Sequence, residues 1–153
     1  MDDEAYMREA LAEAHQALAL GEVPVGAILV ADGEIVGRGH NRRETDADPT
    51  AHAEILALRA GAAWRRHWRL HGTVLYTTLE PCAMCAGALV NARVARLVYG
   101  AADPKAGAAG SVLQVAACGR LNHRLEVAGG VLAEESIALL QRFFEERRGK
   151  NGG

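Results

Sequence analysis

Asp48-Pro49-Thr50-Ala51-His52-Ala53-Glu54 reads as the start of a helix. Asp48 and Thr50 are both N-cap residue types, and a proline is well suited to a first turn because its missing N–H would have had no partner there. The helix is expected over residues 51–60, ending near Gly61. About thirty residues on, Leu79-Glu80-Pro81-Cys82-Ala83-Met84-Cys85 repeats the pattern: a β-rich run over 73–79, then Pro81 opening a helix that ends near Asn91. A strand and a helix thus succeed each other with chemically loaded residues at the helix entrances.

Outward from these segments the rest of the order follows. Residues 3–20 set Met7, Ala10, Leu11, Ala14 and Leu18 on one helical face, with Gly21 suited to close the helix. The apolar runs 25–31 and 34–37 flank Asp32-Gly33, a tight hairpin signal, and 40–49 is a polar loop. A strand over 94–99, a Gly- and Ala-rich loop over 100–110, a short strand over 125–127 and a helix over 134–148 complete the chain. In that last helix Ile137, Leu140, Phe143 and Phe144 are expected on or near the buried side, although adjacent Phe143 and Phe144 leave the axis about 100° apart and cannot both face the core. Residues 150–153 are expected to be a frayed tail. A leading hairpin followed by helical crossovers implies an α/β chain with a mixed sheet and helices on its faces. No repeat, linker or low-complexity tract divides residues 1–153, so one domain is expected.

Two Phe, two Trp and three Tyr in 153 residues leave the core to Ala, Leu and Val. The net charge of −2 conceals a partition. Residues 1–48 carry four Lys or Arg against eleven Asp or Glu, whereas residues 49–125 carry nine against three and are net +6. A basic middle suits an anionic partner, and unevenly scattered surface charge explains it as well. Met1-Asp2-Asp3-Glu4 shows no export signal, and the apolar stretches are far too short to span a bilayer. A soluble, cytoplasmic protein without a membrane partner is expected.

Three cysteines, two of them three apart, suit a metal better than disulfides. Cys82 and Cys85 fall on one side of a helix turn, at an N-terminus that favours thiolate. His52 supplies a third ligand from the other helix start. Three protein ligands leave one tetrahedral position open, which is the catalytic arrangement of zinc and not the structural one, so one Zn2+ per chain is expected. Glu54, two residues beyond His52, leaves the helix in another direction and suits proton transfer beside the ion. The bland alternative is a zinc staple, or a cysteine pair without metal. Cys118 is given no role.

At these residues the chain resembles the cytidine deaminase-like superfamily, whose zinc members share an HxE and PCxxC signature. Within it the chain is similar to the bacterial tRNA-specific adenosine deaminases, which convert the wobble adenosine of an anticodon to inosine. The likeness runs through Gly21–Ala27, Asn41-Arg42, both zinc segments, Tyr99-Gly100-Ala101, Gly107–Ser111, Asn122-His123-Arg124 and Phe143-Phe144. It departs at His40, Arg43 and Ala102, where a Trp, a Pro and a charged residue are familiar. The resemblance implies a three-layer α/β/α fold around a five-stranded mixed sheet, and a homodimer. It implies that Asn41 holds the target base or its ribose, that Asp103 and Lys105 lie near the flipped-out nucleotide, and that Phe144 and Arg148 touch the tRNA anticodon stem-loop. On spacing alone Asn41 could equally turn a loop, and Arg148 could simply complement a helix dipole. The run Trp64-Arg65-Arg66-His67-Trp68-Arg69 could stack on RNA or be a solvated bend. Two rival functions remain at this point: a deaminase of free bases such as guanine or cytosine, and a zinc-stapled RNA-binding protein without activity.

Overall fold

The structure, a computed structural model, describes residues 1–152; Gly153 and the side chains of residues 150–152 lie outside it, and with them most of the expected tail. The elements are α1 (Asp3–Ala19), β1 (Gly26–Ala31), β2 (Glu34–His40), α2 (Ala53–Arg65), β3 (Val74–Leu79), α3 (Ala83–Asn91), β4 (Arg96–Ala101), β5 (Glu126–Ala128) and α4 (Ala133–Gly152). The five strands form one mixed sheet in the order β2-β1-β3-β4-β5. β1 is antiparallel to β2 and β3, while β3, β4 and β5 run parallel.

Alternation along the strands builds the three layers. Ala27, Leu29, Leu75 and Leu97 face one way and pack on Ala53, Ala57 and Leu58 of α2 and on Ala86 and Leu89 of α3. Ile28, Val30, Tyr76 and Val98 face the other way onto Tyr6, Met7 and Ala10 of α1. α1 meets α4 through Leu11, Ala14 and Leu139. The α1 layer is also tied electrostatically: the Tyr76 hydroxyl donates to Asp3 at 2.7 Å, and Arg96 grips the same carboxylate with two bonds of 2.9 Å. The three-layer α/β/α arrangement expected of the family is therefore present.

The hairpin forms as expected, with Asp32 and Gly33 both at positive φ (51° and 78°), as a two-residue turn of this type requires. Several details differ from expectation. β2 runs on to His40, and β4 is shifted to Arg96–Ala101, because Val94 still closes the turn out of α3 by donating to the Leu89 carbonyl. α2 continues past Gly61, whose missing side chain makes room for Leu29. In α4 the buried stripe is Ser136, Leu139 and Phe143, a spacing of three and four residues, and Ile137 faces solvent. Phe143 is buried and Phe144 is 47% exposed.

The contact that brings α2 onto the sheet is backbone against backbone. A Cβ on Gly39 would collide with the Ala53 carbonyl and the Ala57 amide, and one on Gly37 with the Ala57 carbonyl. Gly39→Ala is therefore expected to push α2 off the sheet at a cost of about 1–3 kcal/mol, lowering the thermal midpoint by several degrees. Gly87→Ala, in a helix with open space around the new methyl, should hold or raise it. Equal midpoints for the two variants would refute the close approach.

Candidate active site

His52 and Cys82 occupy the N-cap positions of α2 and α3. This corrects the expected helix starts at 51 and Pro81. Asp48 does not cap α2: its carboxylate closes a separate turn, accepting from the Thr50 amide and hydroxyl at 2.8 Å each. His52 is left extended (φ −77°, ψ 151°), as is Cys82 (φ −72°, ψ 178°), and neither side chain bonds its own helix. N-cap side chains that ignore the helix are free to face each other. Cys85 sits three residues beyond its N-cap, the spacing at which a side chain reaches back toward the cap residue.

The result is a tight donor triad. His52 Nδ1 lies 3.7 Å from Cys82 Sγ and 3.4 Å from Cys85 Sγ. All three ligand atoms fall within 4.8 Å of one another, and among the described residues no other such group of three or more was found. Tetrahedral zinc with its usual bond lengths to sulfur and nitrogen would hold those atoms about 3.6 Å apart. Two thiols and an imidazole are also a donor set that zinc favours. The residues present therefore fit the ion.

Protonation follows the same geometry. The Cys82 thiol is pushed down to about 3, first by the hydrogen bond from Cys85 and then by that from His52. That same Cys85 bond, together with burial, pushes the Cys85 thiol up. His52 is raised, chiefly through its bond to Cys82. Glu54, in the first turn of α2 and 4% exposed, is pushed up mainly by burial. A carboxyl so placed retains a proton further toward neutral pH than a surface glutamate does.

Cys85 is buried, while His52, Cys82 and Glu54 line a cavity of about 200 Å³. Its walls include Val23, Val25, Leu79 and Ala106, and its polar lining includes Asn41, Arg43, Glu80 and Asp103. Asn41 is partly engaged: its amide donates to the Val23 carbonyl at 3.3 Å and accepts from the Arg43 amide at 3.1 Å. One N–H and one lone pair are left for a ligand. The Asp103 carboxylate accepts from the Lys105 and Ala106 amides at 3.0 and 3.1 Å, closing a turn. Beyond that turn Lys105 joins Phe144 and Arg148 in the lining of a second cavity of about 580 Å³. The expected site residues thus fall into two adjoining groups, Asn41 and Asp103 with the triad and Glu54, and Lys105, Phe144 and Arg148 beside them. Of the departures, His40 pairs with the buried Glu13 at 3.0 Å and is not in the cavity lining, whereas Arg43 is.

Two carboxylates escaped the sequence analysis as functional residues. Glu80, 2% exposed, accepts from the amides of Asp103, Ala109 and Ser111 at 3.0, 3.0 and 3.1 Å and from the Ser111 hydroxyl. Glu22, also 2% exposed, accepts from the amides of Glu44 and Thr45 at 3.2 and 2.7 Å. Each fastens one loop of the cavity mouth. Burial raises both carboxyls, but the donated hydrogen bonds outweigh it and hold them below the ordinary value. The sequence signal was an acidic residue inside an apolar segment with no basic partner nearby, as in Leu79-Glu80-Pro81.

Residues 1–148 match the MafB19-like deaminase family. The chain is 50% identical to the tRNA-specific adenosine deaminase of Bacillus subtilis, covering 97% of this chain and 92% of that one. It is 53% identical to the protein of the same name from Haemophilus influenzae, covering 95% and 85%. A solved structure from work on A-to-I editing by tRNA:A34 deaminases at the wobble position superposes with a TM-score of 0.86 at 43% identity, covering 89% of this chain and 99% of that one. Guanine deaminase of Nitrosomonas europaea superposes at 0.79 with 26% identity, covering 92% and 83%.

Replacing Glu80 tests the loop anchor. A glutamine has one acceptor oxygen and turns an NH2 toward N–H donors, and each buried group left unpaired costs about 1–3 kcal/mol. Glu80→Gln is expected to loosen the loop and raise the rate of tryptic cleavage after Lys105 at least tenfold, with the global midpoint moving much less. An unchanged cleavage rate would show that the loop is held by other contacts.

Proposed function

Because the chain belongs to the MafB19-like deaminase family and to the tRNA-specific adenosine deaminases, we infer that it hydrolyses adenosine to inosine at the wobble position of a tRNA anticodon. The observation that carries the chemistry is that Glu54 lines one small cavity together with His52 and Cys82, two members of the His52–Cys82–Cys85 donor group. A staple has no use for such a carboxylate. The cavity lies below the range of about 300–1,000 Å³ typical of sites for drug-sized ligands, which suits a ligand as small as a single base. A base can enter only from an unpaired loop, turned out of its stack.

His52, Cys82 and Cys85 would hold one zinc ion, which when bound lowers the pKa of a water from about 15.7 toward about 7 and so supplies a nucleophile at neutral pH. Glu54 manages the protons. It would take one proton from the attacking water and give it to the ring nitrogen next to C6, then take the second proton of that same oxygen and deliver it to the amino group, which departs as ammonia. The C6–N bond is exchanged for a C6–O bond, one water is consumed, and inosine remains. Asn41 offers its free N–H and lone pair to the base or ribose. Asp103 shapes the turn beside the flipped nucleotide. Lys105, Phe144 and Arg148 would receive the rest of the anticodon loop, Phe144 as a stacking face and the two cations at phosphates.

The reading extends to three further points. Residues 1–153 form one deaminase domain, supported by the family match over 1–148. Two copies form a homodimer, supported by apolar side chains such as Val112 and Leu113, both more than half exposed. Work on tRNA implies the cytoplasm, and among the described residues no helix is long and apolar enough to cross a membrane.

Two experiments test the reading. Glu54→Ala is expected to keep about one zinc per chain and lose turnover by at least the roughly 10²–10⁴-fold of one acid–base group, whereas Cys85→Ala should lose the metal itself; zinc retained in Cys85→Ala, or Glu54→Ala within tenfold of the unaltered protein, would overturn those assignments. An anticodon stem-loop with a wobble adenosine should be converted to inosine far faster than free adenine, guanine or cytosine. If a free base reacts equally well, the small-molecule deaminase becomes the better account.

A further inference from the structure

The C-terminal end of α2 carries a feature that the deaminase site does not use. Between residues 55 and 79 the chain has no Asp or Glu, yet it has Arg59, Arg65, Arg66 and Arg69. Both tryptophans of the protein are here, Trp64 and Trp68, and each is 53% exposed. Large indoles are normally covered in a protein with so few aromatics. The guanidinium of Arg69 stands 4.8 Å from the Trp68 ring centre, and that of Arg93, from the end of α3, stands 5.7 Å away. The His67 ring stacks at 6.0 Å.

The platform is built, not loose. Leu70 is buried at its base and donates to the Ala92 carbonyl at 2.7 Å, and Arg65 closes the segment by donating to the His71 carbonyl at 2.9 Å. Among the described residues none of Arg65, Arg66, Arg69 and Arg93 forms an ion pair with a carboxylate. Cations without internal counter-charges, set around a half-exposed indole, match one ligand chemistry: phosphates alternating with flat aromatic rings. Guanidinium groups grip phosphates as a fork, and bases stack on indoles.

We propose that this surface, built on Trp68 with Arg69 and Arg93 and flanked in sequence by Trp64 and Arg66, is a second RNA-binding site that takes an unpaired RNA segment. It is separate from the deaminase cavity. α2 has 13 residues with His52 at its opposite end, so at the usual helical rise the two sites lie about 20 Å apart. A strand held here is not the one whose base enters the pocket.

Because the protein's two tryptophans are Trp68 itself and Trp64 at the end of the adjoining helix, both half-exposed, intrinsic tryptophan fluorescence reports on this end of α2. The full-length, zinc-loaded protein is titrated with an oligouridylate of about twelve nucleotides, within the usual span of single-strand sites. Uridine has no exocyclic amino group, so the probe is no deaminase substrate, and the outcome is independent of the wobble-adenosine reading. Saturable quenching is expected, with affinity falling in salt at a log–log slope of about −2 to −3, the value for three or four phosphate contacts on a single strand. Arg66→Gln with Arg69→Gln, side chains that make no hydrogen bond of their own in the structure, should weaken the quenching constant at least tenfold while deamination of a short stem-loop stays unchanged. Three outcomes overturn the proposal: no quenching, quenching that ignores salt or the double substitution, or quenching by anionic lipid vesicles and not by RNA. The last would assign the patch to a membrane surface.

Discussion

Two helix beginnings converge above the sheet until His52 Nδ1 stands 3.4 Å from Cys85 Sγ, and the close packing of backbone on backbone makes that distance possible. α2 lies directly against β2 at Gly37 and Gly39, and α1 lies as closely against β1 at Gly26. Side chains at those positions would lift the helices by the thickness of a methyl or more. α3 is fixed from the other direction, because β3 and β4 are parallel and the crossover between them must return over one face. The meeting of His52 with the cysteines is therefore a property of the sheet and its coverings. The local loops contribute little to it.

Withholding N-cap side chains from their helices has a cost, since each cap bond is worth about 1 kcal/mol. The first-turn amides of α2 and α3 remain as donors near the triad, and they favour negative charge there. Thiolate at Cys82 fits that field. The acidity of one cysteine and the proton retention of Glu54 thus have different origins. Neighbouring donors set the first, and burial sets the second.

Much of this was legible in the sequence. The order of elements, the Asp32-Gly33 turn and the grouping of His52 with Cys82 and Cys85 could be read because each rests on local spacing or turn chemistry. Boundaries were less legible where a long-range contact overrides a local signal. Gly61 looked like a helix stop and is in fact a packing site for Leu29. Asp48 looked like the helix cap and instead closes its own turn. Ile137 looked buried because it is apolar, but the docking of α4 on α1 selects the stripe through Leu139 and Phe143. The roles of Glu22 and Glu80 were the least legible. Their partners are main-chain amides more than twenty positions away, which leave no trace in residue type.

That last property bears on how a fold of this kind can change its substrate. Every residue but proline brings a main-chain N–H, so a carboxylate anchor places almost no demand on which amino acids make up the loop it holds. The two loops at the mouth, around residues 42–48 and 102–111, are each fastened by one such anchor. Side chains that make no such contact can be rewritten while the loops stay in place, whereas Gly107, packed against the Glu80 carboxylate, and Ser111 and Asp103, whose side chains bond within the anchor or the turn, are held to their types. New specificities are then within reach of small genetic steps. A tRNA-editing deaminase and a guanine deaminase both superpose on this one scaffold.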